Sequence, residues 1–88
     1  MTDWNDPNEV ANIIAVVDST IWTVYGVDSG SQLYERGLVP TYEKHLIKSL
    51  TDIGMPKPLP NGETIYSILL AWGHSISVHA LQREGFII

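Results

Sequence analysis

Three prolines at alternate positions interrupt the chain between residues 55 and 60. Pro56, Pro58 and Pro60 each lack a backbone N–H, and each pushes the preceding residue into extended backbone. No helix can cross such a segment, so the elements on its two sides must pack against each other as separate pieces. We predict a stiff surface connector that sets the angle between two helices. The alternative is a polyproline ligand for a partner domain.

The length of the chain allows one domain. It has 88 residues, of which 44% are apolar and 17% charged, a composition that can supply a core. The absence of cysteine excludes disulfides, thiolate metal sites and a cysteine nucleophile. The N-terminus lacks a basic region followed by an apolar one, and no apolar run approaches the roughly 20 residues of a membrane span. We expect a single cytoplasmic helical domain over residues 1–88.

Acidic residues are concentrated in the first half of the chain. Ten acids against five bases give a net charge of −5, and six of the acids precede the first base, Arg36. Such a surface repels phosphate at long range, so the charge argues against a nucleic-acid coat protein. It favours basic partners, or simply keeps a small protein in solution.

Residues 6–26 carry the signals of one long helix. Asp6 is a suitable N-cap, Pro7 suits the first helical position, and Gly26 can end the helix. The apolar residues follow helical spacing and form the predicted core stripe: Val10, Ile13, Ile14, Val17, Ile21, Val24 and Tyr25. The alternative is a β-hairpin over residues 13–27 that turns at Asp18, but its strands lack strict alternation.

Two further helices are predicted before the prolines. A short one is capped by Ser31 and ended by Gly37. A longer one opens at Val39 and Pro40 and runs to Gly54, with an apolar stripe of Tyr42, Leu46, Ile47, Leu50 and Ile53. The predicted fold is therefore all-α, a bundle of three main helices and one short helix with the last helix at its centre. An α+β fold with the N-terminal hairpin is the alternative.

The segment 61–85 is apolar around most of its girth, and two interpretations of it compete. Asn61 caps it and Gly85 follows its end. In the preferred interpretation one helix runs through Gly73, and Gly73, Ser77 and Ala80 form a small-residue strip where another backbone packs closely. That interpretation predicts an assembly surface, and it predicts that Gly73→Ala is tolerated better than Gly73→Asn.

In the second interpretation the helix breaks around Gly73 and Ser75 caps a new helix. Val78 and Leu81 then face inward, and residues 85–88 begin a wing, so residues 65–84 resemble a helix-turn-helix DNA-binding unit. The resemblance implies DNA contacts from polar side chains of the second helix, Ser75, His79, Gln82 and Arg83, and from His74 at its start. Val78 lies one residue nearer the turn glycine than the family spacing. Arg83 is the only base there, which argues against DNA binding.

The sequence offers little for catalysis or metal binding. It has no phosphate-binding Gly-rich loop and no Gly-x-Ser-x-Gly elbow. Asp18 is the nearest approach to a poised acid, but Ser19 and Thr20 beside it indicate an ordinary polar face. His74 and His79 are five residues apart, whereas two ligands on one helical face need a spacing of four. We predict a non-enzymatic protein with no metal and no cofactor.

Aromatic side chains complete the prediction of function. Trp22 lies off the predicted core stripe and Trp4 precedes the helix, so both are available to a partner. With the apolar last segment they define a predicted interface of Trp4, Trp22, Trp72, Gly73, Ser77, Ala80 and Phe86. We predict a small acidic interaction or assembly subunit that binds itself or another protein and is not a stable monomer. The alternative is a helix-turn-helix transcriptional regulator.

Overall fold

The computed structural model describes residues 2–87, and these residues form five helices and no strand. The helices are α1 (Pro7–Tyr25), α2 (Gly30–Glu35), α3 (Val39–Asp52), α4 (Gly62–Ala71) and α5 (Ser75–Arg83). The all-α prediction is confirmed. The β-hairpin alternative is wrong, because α1 runs without interruption through residues 13–25. None of these helices is long and apolar enough to cross a membrane.

The ends of α1 follow the predicted signals. The Asp6 carboxylate accepts hydrogen bonds from the backbone N–H groups of Asn8 and Glu9, at 3.0 and 3.4 Å, and Pro7 is the first helical residue. Gly26 ends the helix in the left-handed conformation with a φ of +68°. The short helix α2 begins at Gly30, one residue before its predicted cap.

The four longer helices enclose one core. Helix α1 packs against α3 and α4, α5 packs against the same two helices, and α2 lies against α3. The expectation of one long last helix at the centre is therefore wrong, since the core is shared among all four. Its buried apolar side chains are Val10, Ala11, Ile14, Ile21, Val27, Leu33, Tyr42, Leu46, Leu50, Met55, Leu59, Ile65, Leu69, Val78, Ala80, Leu81, Phe86 and Ile87.

The buried face of α1 differs from the predicted stripe. Ala11 and Asp18 lie in the core, whereas Val24 is 66% exposed. The buried arc is centred between Ile14 and Asp18, so the helix is rotated away from the orientation that apolar residues alone would choose. Ile53, also predicted to be buried, lies in the turn after α3 and is 49% exposed.

The last segment is two helices joined by a turn, and the continuous-helix interpretation is wrong. Helix α4 ends at Ala71, and Gly73 has a φ of +83°. The N–H of Gly73 donates to the Leu70 carbonyl, and the N–H of His74 donates to the Leu69 carbonyl at 2.9 Å, which is a Schellman motif. The small-residue strip does not form, because Gly73 is exposed while Ser77 and Ala80 lie in the core on α5.

The turn reverses the expected order of Gly73 variants. A β-carbon at Gly73 meets no atom within 4 Å, so the cost of substitution comes from the positive φ alone. Gly73→Ala should lower the free energy of unfolding by about 1 to 2 kcal/mol, and Gly73→Asn by less, because asparagine accepts the left-handed region. Urea melts would measure both. Gly62→Ala, in the first turn of α4, is the control and should be neutral; alanine better tolerated than asparagine at Gly73 would contradict the turn.

The proline connector keeps its three prolines out of the core, but it and the C-terminal tail each bury two apolar side chains. Met55 and Leu59 are buried, and the N–H of Leu59 donates to the Phe86 carbonyl at 3.0 Å. Phe86 and Ile87 are buried as well, so they do not begin a wing. Ile88, the last residue of the predicted wing, lies outside the described residues.

Candidate functional site

Of the seven residues in the predicted interface, three are buried and two are half-buried. Ser77, Ala80 and Phe86 are between 1% and 3% exposed, because the turn at Gly73 directs the buried face of α5 toward α3 and α4. Trp4 and Trp22 are half-buried against the core. Trp72 is 48% exposed, and together with Gly73 it is the part of the predicted interface that lies on the surface.

The side chains of the DNA-binding alternative are exposed on α5. Ser75, His79, Gln82 and Arg83 all face solvent. Ser75 is the first residue of the helix, and no side-chain hydrogen bond caps it, so its predicted capping role is wrong. The Arg83 guanidinium forms an ion pair with Glu43 of α3. The single base of this helix is thus already paired with an acid.

A buried polar cluster is centred on Asp18. Its carboxylate is fully buried and accepts hydrogen bonds from the hydroxyl groups of Tyr42 and Ser77. His74 Nδ1 lies 2.8 Å from the second carboxylate oxygen. The expectation of an ordinary polar face at Asp18 is wrong, because three polar groups from α3, α5 and the Gly73 turn make its burial possible.

Burial and the neighbouring carboxylate together keep Tyr42 protonated. Burial, and then the negative charge of Asp18, raise the pKa of the Tyr42 phenol well above its usual value. The phenol therefore stays protonated at neutral pH and keeps donating to Asp18. The cluster surrounds the Asp18 carboxyl group with hydrogen-bond partners, the arrangement that a buried acid needs.

The order of contacts distinguishes this cluster from a serine-nucleophile triad. In such a triad the imidazole lies between the serine and the acid, so that it can take the serine proton. Here Asp18 lies between His74 and Ser77, and Ser77 is 1% exposed. The cluster therefore fixes the orientation of His74 and does not activate Ser77. The absence of enzymatic activity stays a prediction.

An open cleft of about 480 Å³ lies beside the cluster, where α1, α2 and α5 meet. Trp22 stacks on His74 there, with ring centroids 5.7 Å apart and planes inclined by 30°. Tyr34 and His79 also line the cleft; serines, glycines and Ile76 complete the lining, which includes no Asp, Glu, Lys or Arg. No three His, Asp or Glu side chains within residues 2–87 could together hold a metal ion.

A second surface runs along the solvent side of α1. We call it the α1 outer face and define it by its exposed side chains, Asn12, Val16, Ser19, Thr20, Thr23 and Val24. None of them is charged, and Val16 and Val24 are 57% and 66% exposed. The hydroxyls of Thr20 and Thr23 donate to the carbonyls of Val16 and Ser19, both at 2.9 Å, so they are satisfied within the helix.

The sequence-based predictions missed both the α1 outer face and the buried cluster at Asp18. It assigned Val24 to the core, although the absence of charge between Glu9 and Asp28 apart from Asp18 was a visible sign of an uncharged face. It also assigned Asp18 to the solvent, and so did not connect this residue with His74.

Comparisons with known proteins give no assignment. No protein-family model, curated protein or solved structure matches the chain. The α1 outer face and the cleft at His74 are therefore the features from which function is inferred.

Proposed function

We propose that this protein is a small, acidic, non-enzymatic interaction subunit that associates through the α1 outer face. The observation that carries the proposal is the pair of valines, Val16 and Val24, each more than half exposed on a face without charge. Depletion of charged residues distinguishes the cores of protein interfaces from other surface. On this uncharged face Val16 and Val24 supply the exposed apolar surface that a binding site needs.

The partner favoured by the charge distribution is a second copy of the chain. Each copy carries a net charge of −5, so contacts through most of the surface would bring carboxylates together. The α1 outer face brings no charge to the contact, and a twofold axis can match it with itself. From Asn12 to Val24 the face spans roughly 18 Å of helix. A contact of this length is small, and a small interface favours a weak, concentration-dependent dimer.

The proposal is tested by the mass of the protein in solution. Light scattering over a wide dilution series should give a mass that rises above the monomer value of 9.8 kDa as concentration increases. Added salt should strengthen association, because it screens the repulsion between two acidic chains while leaving the apolar contact intact. Val16→Glu should abolish this rise in mass. Ile53→Glu, which changes an exposed apolar residue in the turn after α3, should leave the rise unchanged. A monomer at every concentration and salt level would contradict self-association.

DNA binding is the second candidate function, and the turn at Gly73 is the observation that favours it. Helix α5 follows this turn with its polar side chains exposed, as the resemblance to a helix-turn-helix unit requires. The charge opposes it, because the chain has only five bases and Arg83 is paired with Glu43.

We expect no sequence-specific DNA binding at physiological salt. Too few bases are available to neutralise the phosphates of a duplex. Fluorescence anisotropy with a panel of labelled duplexes measures this directly, with Arg83→Ala as the test variant. Saturable, salt-sensitive binding to one duplex that Arg83→Ala weakens would establish the second candidate in place of the first.

A further inference from the structure

The buried cluster determines which nitrogen of His74 is free. Asp18 is surrounded by donors and accepts at both oxygens, so the His74 nitrogen that lies 2.8 Å from it, Nδ1, carries a hydrogen. In the neutral imidazole the other nitrogen, Nε2, then carries a lone pair. The stacked Trp22 and the buried carboxylate hold the ring in one orientation. In its neutral form His74, whose side chain is 12% exposed, can therefore accept a hydrogen bond at Nε2, on the side of the ring away from Asp18.

The cleft beside His74 has the size and lining of a small-molecule site. Its volume of about 480 Å³ falls within the roughly 300 to 1,000 Å³ of such sites. Four rings contribute to its walls, from Trp22, Tyr34, His74 and His79, and small side chains leave the space between them open. Trp22 Nε1 is buried without a hydrogen-bond acceptor among the described residues.

We propose that this cleft binds a small, uncharged aromatic ligand that donates an N–H or O–H hydrogen bond to His74 Nε2. The ligand is aromatic because rings form the walls, and aromatic groups attract one another in stacked or edge-on arrangements. It is uncharged because no carboxylate, ammonium or guanidinium group lines the cleft to pair with an ion. It carries a donor because Nε2 offers a lone pair. This site is independent of the proposed self-association, since its α1 residue, Trp22, lies outside the α1 outer face.

The test uses two probes, benzimidazole and 1-methylbenzimidazole, in the second of which a methyl group replaces the hydrogen of the N–H donor. Each is titrated at neutral pH into the ¹⁵N-labelled full chain, and the side-chain nitrogen signals of His74 and Trp22 are followed. Benzimidazole should shift both signals saturably, and the methylated probe should bind at least about fivefold more weakly, the effect of one lost hydrogen bond. Only the signals of residues that line the cleft should shift.

A variant that leaves the core intact keeps the proposal falsifiable. Tyr34 is 75% exposed, so Tyr34→Ala should fold normally and bind benzimidazole several-fold more weakly. Ile53→Ala, at an exposed apolar residue outside the cleft, should bind it as the unmodified chain does. No saturable shift, equal binding of the two probes, or a Tyr34→Ala variant with full affinity would each overturn the proposal.

Discussion

Asp18→Leu should lower the free energy of unfolding by about 3 to 5 kcal/mol, because three groups lose the buried carboxylate to which they are hydrogen-bonded. Tyr42 and Ser77 lie within hydrogen-bond distance of each other, so one hydroxyl could still donate to the other, but the second would lack an acceptor in a place that water does not reach. A domain of this length has a total stability of roughly 4 to 13 kcal/mol, so the variant should be unfolded in part or in full. Urea denaturation followed by circular dichroism measures the loss.

Two controls identify the cluster as the cause of this loss. Asp28→Asn changes an exposed acid between α1 and α2, and it should leave the free energy of unfolding nearly unchanged. In a Tyr42→Phe, Ser77→Ala background two of the three donors are already gone, so the further cost of Asp18→Leu should be smaller. An unchanged cost in that background, or a loss no greater than that of Asp28→Asn, would contradict the role assigned to Asp18.

The second large effect is expected at alkaline pH. The pKa of Tyr42 is raised in the folded protein above the usual tyrosine value of about 10. Above pH 10 the unfolded chain therefore releases a proton that the folded chain keeps, and stability falls as pH rises. The slope from this one group is about 1.4 kcal/mol per pH unit, and the stabilisation is fully present below pH 10.

The Tyr42→Phe variant isolates this contribution. It should be less stable than the unmodified chain at neutral pH, because Asp18 loses a donor, yet its stability should fall less steeply above pH 10. Both proteins keep the exposed Lys48–Asp52 pair, which raises the pKa of Lys48 and acts in the same direction, so the difference in slope reports Tyr42. Parallel stability curves for the two proteins would contradict a protonated, buried phenol.

The boundaries of α1 and α3 could be predicted from the sequence because local chemistry sets them. Asp6 and Pro7 start α1 where expected, and each of the five helices is followed by a glycine with positive φ. In four cases the next residue is apolar, and these residues are Val27, Leu38, Met55 and Phe86. At Gly73 the next residue is the polar His74. The apolar residue that follows the other four glycines is missing there, and the turn was not the preferred prediction.

The cluster could not be predicted from periodicity. Spacing along a helix assigns a lone carboxylate to the solvent, since an unpaired buried charge is costly. The three partners of Asp18 are 24, 56 and 59 residues further along the chain, so only the tertiary fold reveals them. Misplacing Asp18 also rotated the predicted core face of α1. That rotation put Val24 inside and hid the α1 outer face.

Paramagnetic broadening between two copies of the chain tests directly whether they associate through the α1 outer face. The natural sequence has no cysteine, so Asn8→Cys at the exposed start of α1 accepts a single spin label. A labelled chain is mixed with an unlabelled ¹⁵N chain at a concentration where the mass exceeds that of the monomer. Association through the α1 outer face predicts broadening of ¹⁵N amide signals from Asn12 to Val24, with those of α5 unaffected. Broadening centred on α5, or no broadening between copies, would contradict it.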